Sequence, residues 1–318
     1  MDQHAEHEVE TLTPELARLR IGFANVYFAG PPAGPWVLID AGLSFGAAKI
    51  LEVAAERYGR DSRPAAIILT HGHFDHVGAL PALLGVWDVP VFAHPLEFPF
   101  LTGLADYPPP DPAVGGGLMS RMSPLYPEEG LELEDGRLQR LPDSGDVPGM
   151  AGWRWIHTPG HAPGHVSFFH DADRSMIAGD AVTTTDQRSA YAVLVQKQEL
   201  QGPPAYFTID WEAARRSVEA LALLQPLLLA TGHGTPMRGD TVPGELTALA
   251  RDFDTRARPR RGRYVREPAV TDEHGIVYVP PPVPAGQIPW GVLTGVAATA
   301  VAGTWLVRRY RRKPTTEA

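Results

Sequence analysis

The chain contains no cysteine in 318 residues. Disulfides and thiolate metal ligands are therefore excluded. It also lacks an excess of positive charge: 28 Lys and Arg stand against 37 Asp and Glu, a net charge of −9. That balance argues against a nucleic-acid binder. A secretory signal is missing as well, because residues 1–10 are acidic and polar, with no basic flank and no apolar centre. Glycine and proline, by contrast, are plentiful at 32 each, which predicts many or long loops. The length suits one large domain or two modest ones.

The chain is organised around Thr70-His71-Gly72-His73-Phe74-Asp75-His76. Three histidines and an aspartate fall within six residues, straight after the apolar run 65–69. A buried strand there delivers the cluster to a sheet edge. His71 and His73, two apart on an extended segment, point the same way, while Asp75 and His76 face elsewhere. One short loop can thus serve two metal positions, with donors that suit a borderline metal such as zinc. Three later segments repeat the pattern of a short apolar run followed by a polar residue among glycines. They place His161 in 158–165, Asp180 after Ile177-Ala178-Gly179, and His233 in 230–234. Rigid strands aim such ligands, and small residues let them converge.

In chain order, strands are expected at 19–29 and 36–39. A helix follows over 44–58, with Ser44 as its cap and Gly59 as its stop. A strand at 65–69, a short helix at 77–84 and a strand at 89–93 come next. Residues 97–129, broken by Pro108-Pro109-Pro110 and Gly115-Gly116-Gly117, read as an insertion of the kind that forms lids. Further strands are expected at 136–141, 153–157, 166–170, 175–178 and 227–230. Helices are expected at 211–224, capped by Asp210, and at 244–253.

Composition changes after residue 255. The domain reading is a catalytic domain over 1–255, an Arg- and Pro-rich linker over 256–287 with one strand at 275–279 packing back, an apolar helix over 288–307 and a basic tail over 308–318. The stretch 288–307 has 20 residues without charge, long enough to cross a bilayer core. Trp290 and Trp305 sit near its ends. The expectation is a transmembrane helix that anchors the chain by its C-terminus, with the catalytic domain in the cytoplasm. Gly291, Gly295, Thr299 and Gly303 recur every four residues and offer a face for a homodimer.

Taken together, His71, His73, Asp75, His76, His161, Asp180 and His233 resemble the ligand set of the metallo-β-lactamase-fold hydrolases, in order and in context, over residues 20–235. The resemblance implies an α/β fold, a four-layered αββα sandwich with the site at one edge of the paired sheets. It implies His71, His73 and His161 at one metal, Asp75, His76 and His233 at the other, and Asp180 between them. Two zinc ions are the implied cofactor, with iron or manganese as substitutes. They would generate a bridging hydroxide that cleaves an ester, thioester or lactone bond of a small molecule, with Asp75 as the catalytic group that orients the nucleophile and handles its proton. Asp40 and Thr70 are candidates to hold ligand imidazoles from behind.

The pattern is most similar to the glyoxalase II-like, hydroxyacylglutathione hydrolase branch, although 256–318 does not resemble that enzyme's helical C-terminal domain. Asp180 stands where the main lactamase subclass has cysteine. His73 stands where the oxygen-reducing diiron branch has glutamate. Quorum-quenching lactonases have a tyrosine three residues after the bridging aspartate, where this chain has Thr183; Tyr191, in the following loop, is the candidate substrate contact in its place. His165 is a second candidate, besides supporting its loop. Two other readings are a mononuclear iron persulfide dioxygenase and a phosphodiesterase or nuclease.

Overall fold

In the computed structural model, residues 9–284 are described, except 33, 129, 134 and 135. The first sheet runs in chain order: β1 (Val9–Thr13), β2 (Leu16–Ile21), β3 (Ala24–Ala29), β4 (Val37–Ile39), β5 (Ile67–Ile68), β6 (Val91–Ala93) and β7 (Leu138–Arg140). Its first four strands pair antiparallel and its last four parallel. The second sheet comprises β8 (Asp146–Val147), β9 (Met150–His157), β10 (Val166–His170), β11 (Ser175–Ile177), β12 (Leu228–Ala230) and β13 (Met237–Arg238), in reverse spatial order. Only its β11–β12 pair is parallel.

Alternation along the strands explains the layering. Ile39, Ile68, Phe168, Ile177 and Leu228 share one core between the sheets. Their neighbours Leu38 and Ile67 face a second core with Ile50 and Val53 of helix α1 (Ala47–Tyr58). Phe169, Met176 and Leu229 face a third, with Trp211, Val218 and Leu221 of the helix Trp211–Leu223. Side chains one apart thus point to opposite faces, each face is apolar, and each is covered. The result is an αββα sandwich. Asp210 does cap its helix: one carboxylate oxygen accepts from the Glu212 and Ala213 amides, a contribution of about 1 kcal/mol.

Several local expectations change. The single strand over 19–29 is a hairpin, because Gly22 at φ 64° turns the chain between β2 and β3. Ser44 does not cap α1; residues Ser44–Gly46 form a single 3-10 turn before it. The helix expected at 77–84 is two pieces, α2 (Phe74–Val77) and α3 (Leu80–Leu84). The stretch read as a linker after 255 packs back through residue 283, in the same compact unit as the sandwich. Tyr264 is buried and donates to Pro109 O, the Ala269 amide donates to Ile209 O, and the Arg258 guanidinium meets Glu212. A small hairpin follows, β14 (Val270–Asp272) with β15 (Gly275–Tyr278).

The membrane expectation is corrected. Among the described residues no helix is long and apolar enough to cross a membrane. The stretch 288–307, the glycine face at 291, 295, 299 and 303, and the basic tail lie outside the described residues. Ten of the twenty residues of 288–307 are Ala, Gly or Thr, which dilutes the apolarity that insertion requires. The C-terminal anchor and the placement built on it are therefore dropped.

Candidate metal centre

The parallel pairs β4–β5 and β11–β12 bring four strand ends to one edge. Asp40 follows β4, Thr70 to His76 follow β5, Asp180 follows β11 and His233 follows β12. The turn between β9 and β10 adds His161 and His165 from the same side. The seven ligand candidates are all buried, and they form three overlapping groups: His71, His73 and His161; His71, His76 and Asp180; Asp75, His76 and His233. Within each group the donor atoms lie within 4.8 Å of one another. Asp75 and His73 are the most open members, at 6% and 5% exposure against 0–3% for the others.

Hydrogen bonds behind the rings decide which nitrogen faces inward. Asp40 accepts from the Thr70 amide at 2.7 Å and from the Thr70 hydroxyl at 2.8 Å. With that hydroxyl hydrogen committed, His71 Nδ1 at 3.0 Å is the donor to Thr70, and His71 Nε2 keeps its lone pair. Asp40 also accepts from His76 Nδ1 at 2.8 Å, which turns Nε2 of His76 toward the cluster. His233 Nδ1 donates to Phe23 O at 2.8 Å, while its Nε2 lies 3.1 Å from Asp180 and 3.4 Å from Asp75. This backing orients metal-ligating histidines and raises their basicity. Asp40 occupies φ 60° to reach Thr70 and His76, an unfavourable conformation for a side-chain residue outside turns.

The interior of the cluster fits a cation. His71 Nε2, His76 Nε2 and Asp180 Oδ1 are buried and lack hydrogen-bond partners. His73 Nδ1 and His161 Nε2 face each other at 3.0 Å. Left unpaired, buried polar atoms cost about 1–3 kcal/mol each, and a shared divalent ion removes that penalty. Gly232 makes the convergence possible, since a Cβ there would lie 2.0 Å from Asp180 Oδ1 and 2.7 Å from His76 Cε1.

Burial lowers the pKa of His71 and His161, and that of His73 to about 3, so these rings are neutral. For His76 burial acts downward too, but Asp180, Asp40 and Asp75 outweigh it and raise the pKa. Asp180 moves down despite burial, because His233 and His76 favour its carboxylate. Asp75 moves up, chiefly through burial.

His165 has a supporting position. Its Nε2 accepts from the Asp180 amide at 2.8 Å, and its Nδ1 meets the Thr158 hydroxyl at 2.8 Å. With both nitrogens engaged, it aims Asp180 and is not placed to contact substrate. Tyr191 is 71% exposed on the helix Ala190–Val195, whereas the clustered donors are buried. The sequence did not single out Glu97 or Tyr107. Glu97 is fully buried and accepts from the Gly72 amide at 2.9 Å, the Gly164 amide at 2.7 Å and the Tyr107 hydroxyl. It clips the β5 loop to the β9–β10 turn. Its one sequence signal was an acidic residue in an apolar stretch, Leu96 to Leu101.

The sandwich edge and its nitrogen and oxygen donors define the class, a metal-binding hydrolase. The chain belongs to the metallo-beta-lactamase superfamily, whose family description matches residues 19–233. It is 49% identical over 234 residues to the probable metallo-hydrolase YflN of Bacillus subtilis (strain 168), over 73% of this chain and 88% of that protein. Among solved structures, Rm3 metallo-beta-lactamase superimposes with a TM-score of 0.51 at 21% identity, over 71% of this chain and 78% of that one. A peroxy diiron species of chemotaxis sensor ODP gives 0.52 at 15% identity, over 77% and 94%. At those identities the two structures share the fold alone.

Proposed function

We propose that this protein is a dinuclear metallo-hydrolase that cleaves an ester, thioester or lactone bond of a small molecule. The observation that carries the reading is the buried convergence of seven nitrogen and oxygen donors with unpaired atoms turned inward. His71, His73 and His161 would hold one ion, Asp75, His76 and His233 the other, and Asp180 would lie between them. A zinc pair suits this donor set, which also accepts iron or manganese. When bound, two such ions would supply Lewis acidity and lower the pKa of a bound water towards about 7.

The chain's own residues do the rest. Asp180, kept anionic by His233 and His76, offsets positive charge at the centre. Asp75, on the more open side, orients the attacking water and takes up its proton. Asp40, Thr70 and the Phe23 carbonyl fix the rings, and Glu97 fixes the loops that carry them. The second donor group of Asp75, His76 and His233 favours this reading over a mononuclear iron dioxygenase. Net charge weighs against a nuclease.

Metal-depleted and zinc-reconstituted protein should be assayed on a panel of esters, thioesters, lactones and phosphodiesters. Metal-dependent turnover of the acyl substrates supports the reading. Turnover of phosphodiesters alone, or of nothing, would count against it.

A further inference from the structure

Five aromatic side chains form an arc beside the donor cluster. It begins at His73, whose ring centroid is 4.7 Å from that of Phe207. Phe207 lies 5.0 Å from Tyr206, 6.0 Å from Tyr126 and 6.3 Å from Phe74. Tyr126 lies 5.8 Å from Phe74 and 5.8 Å from Tyr206. Phe74 leads on to Phe23 at 6.5 Å, and Phe23 stacks on His233 at 5.8 Å. The arc thus runs from a ring in one donor group to a ring in the other. Phe74 immediately precedes Asp75, so the arc also adjoins the more open donors.

The arc is a surface left partly uncovered. Phe23, Phe74 and Tyr126 are only half-buried, whereas Tyr206 and Phe207 are buried behind them. None of the five carries charge. Besides Phe23 in the β2–β3 turn and Phe74 in α2, two longer segments contribute, the insertion with Tyr126 and the loop with Tyr206 and Phe207. These segments abut where Gly117 packs on the Arg188 backbone, a Cβ there lying 2.1 Å from Arg188 O. Both also expose apolar side chains, Leu125 on one and Leu194 on the other. Half-exposed aromatic rings beside a polar reaction centre form a subsite for an uncharged apolar group.

We propose that this arc is the acyl-binding wall of the site, selecting substrates whose acyl group is neutral and apolar, such as arylacetyl or medium-chain alkanoyl. The inference rests on the hydrolase reading. It sets the substrate class apart from anionic acyl groups and from anionic leaving groups that need a cationic pocket.

Two measurements on the full chain test it. Zinc-reconstituted protein is assayed with thioesters of one uncharged thiol, carrying acetyl, octanoyl, phenylacetyl or succinyl groups. In parallel, calorimetry measures binding of acetate, phenylacetate and succinate to metal-free and reconstituted protein. Phenylacetyl should exceed acetyl in kcat/KM by about 10-fold or more, the discrimination that a hydrophobic subsite gives. Phenylacetate should bind more tightly than acetate or succinate. Phe74→Ala and Tyr126→Ala should shrink the phenylacetyl-to-acetyl ratio several-fold, mainly through KM, and Tyr126→Phe should retain it. Bound zinc and circular dichroism, unchanged from wild type, show that the variants fold. A ratio near one, a preference for succinyl, or a ratio untouched by both alanine variants overturns the proposal. If no thioester is turned over, the thioester arm of the hydrolase reading fails instead, and binding alone decides the wall: equal affinity for phenylacetate and acetate overturns it.

Discussion

Every ligand-bearing segment on the floor of the site leaves a strand end or a short turn between strands. On the wall, Tyr126 comes from the insertion after Glu97, and Tyr206 and Phe207 from the loop after Asp180. Floor atoms are buried and tied by hydrogen bonds of 2.7–3.0 Å to Asp40, Thr70, Phe23 and His165. Wall rings touch one another without directional bonds between them. The floor is therefore stiff and specified atom by atom, and it governs reaction class. The wall is set by shape and apolarity, and it governs which substrate enters.

The largest effect should come from breaking the floor. Asp180→Ala should remove the carboxylate proposed to lie between the two donor groups and abolish metal-dependent turnover, an effect larger than the about 10–100-fold that an outer partner costs. Asp40→Asn tests that outer level: it loses an acceptor for His76 Nδ1 or Thr70, and metal affinity should fall by about 10–100-fold in a chelator competition. Glu97→Ala probes stability more than chemistry. It leaves the Gly164 amide and the Tyr107 hydroxyl without their acceptor, and the Gly72 amide with only the Tyr107 oxygen, and denaturant unfolding should show a loss of about 2–4 kcal/mol. On the wall, the Phe74→Ala and Tyr126→Ala ratios should move only several-fold.

The smallest effect lies away from both. His94 stacks on His157 at 4.2 Å and accepts from the Leu96 amide. Burial, with His157 and Arg140, lowers its pKa from 6.5 to about 4. Between pH 6.5 and 4 the unfolded chain therefore takes up this proton before the folded one, and stability falls with pH in that window. Partial exposure limits the effect to less than about 1 kcal/mol. Unfolding of metal-free His94→Asn at pH 7 and pH 4.5 should show a slightly weaker pH dependence than wild type. An equal or steeper dependence would remove His94 from the account.

This contrast between floor and wall also explains what was legible in the sequence. His71, His73, Asp75 and His76 lie within six residues, so local spacing alone exposed them. His161, Asp180 and His233 stood out because each ends an apolar run beside glycine. The layers were implied by the family resemblance and not by local pattern, because adjacent apolar residues such as Phe168-Phe169 and Met176-Ile177 face different cores. Glu97 was not legible, because its partners Gly72 and Gly164 are 25 and 67 residues away. The wall was not, because nothing in local spacing links Phe74 to Tyr126 or Phe207. Tyr191 attracted notice through its place in the chain after Asp180, yet its exposed position puts it outside the arc. The packed stretch 256–283 read as a linker because its contacts, such as Tyr264 to Pro109, span 155 residues.

Metal analysis of the purified protein bears most directly on the two-ion floor. Wild type reconstituted with zinc and freed of excess should retain about two ions per chain, and Asp180→Ala should retain fewer while keeping its circular dichroism. Wild type that retains no transition metal under these conditions would contradict the floor as a metal centre, and with it the proposed reaction.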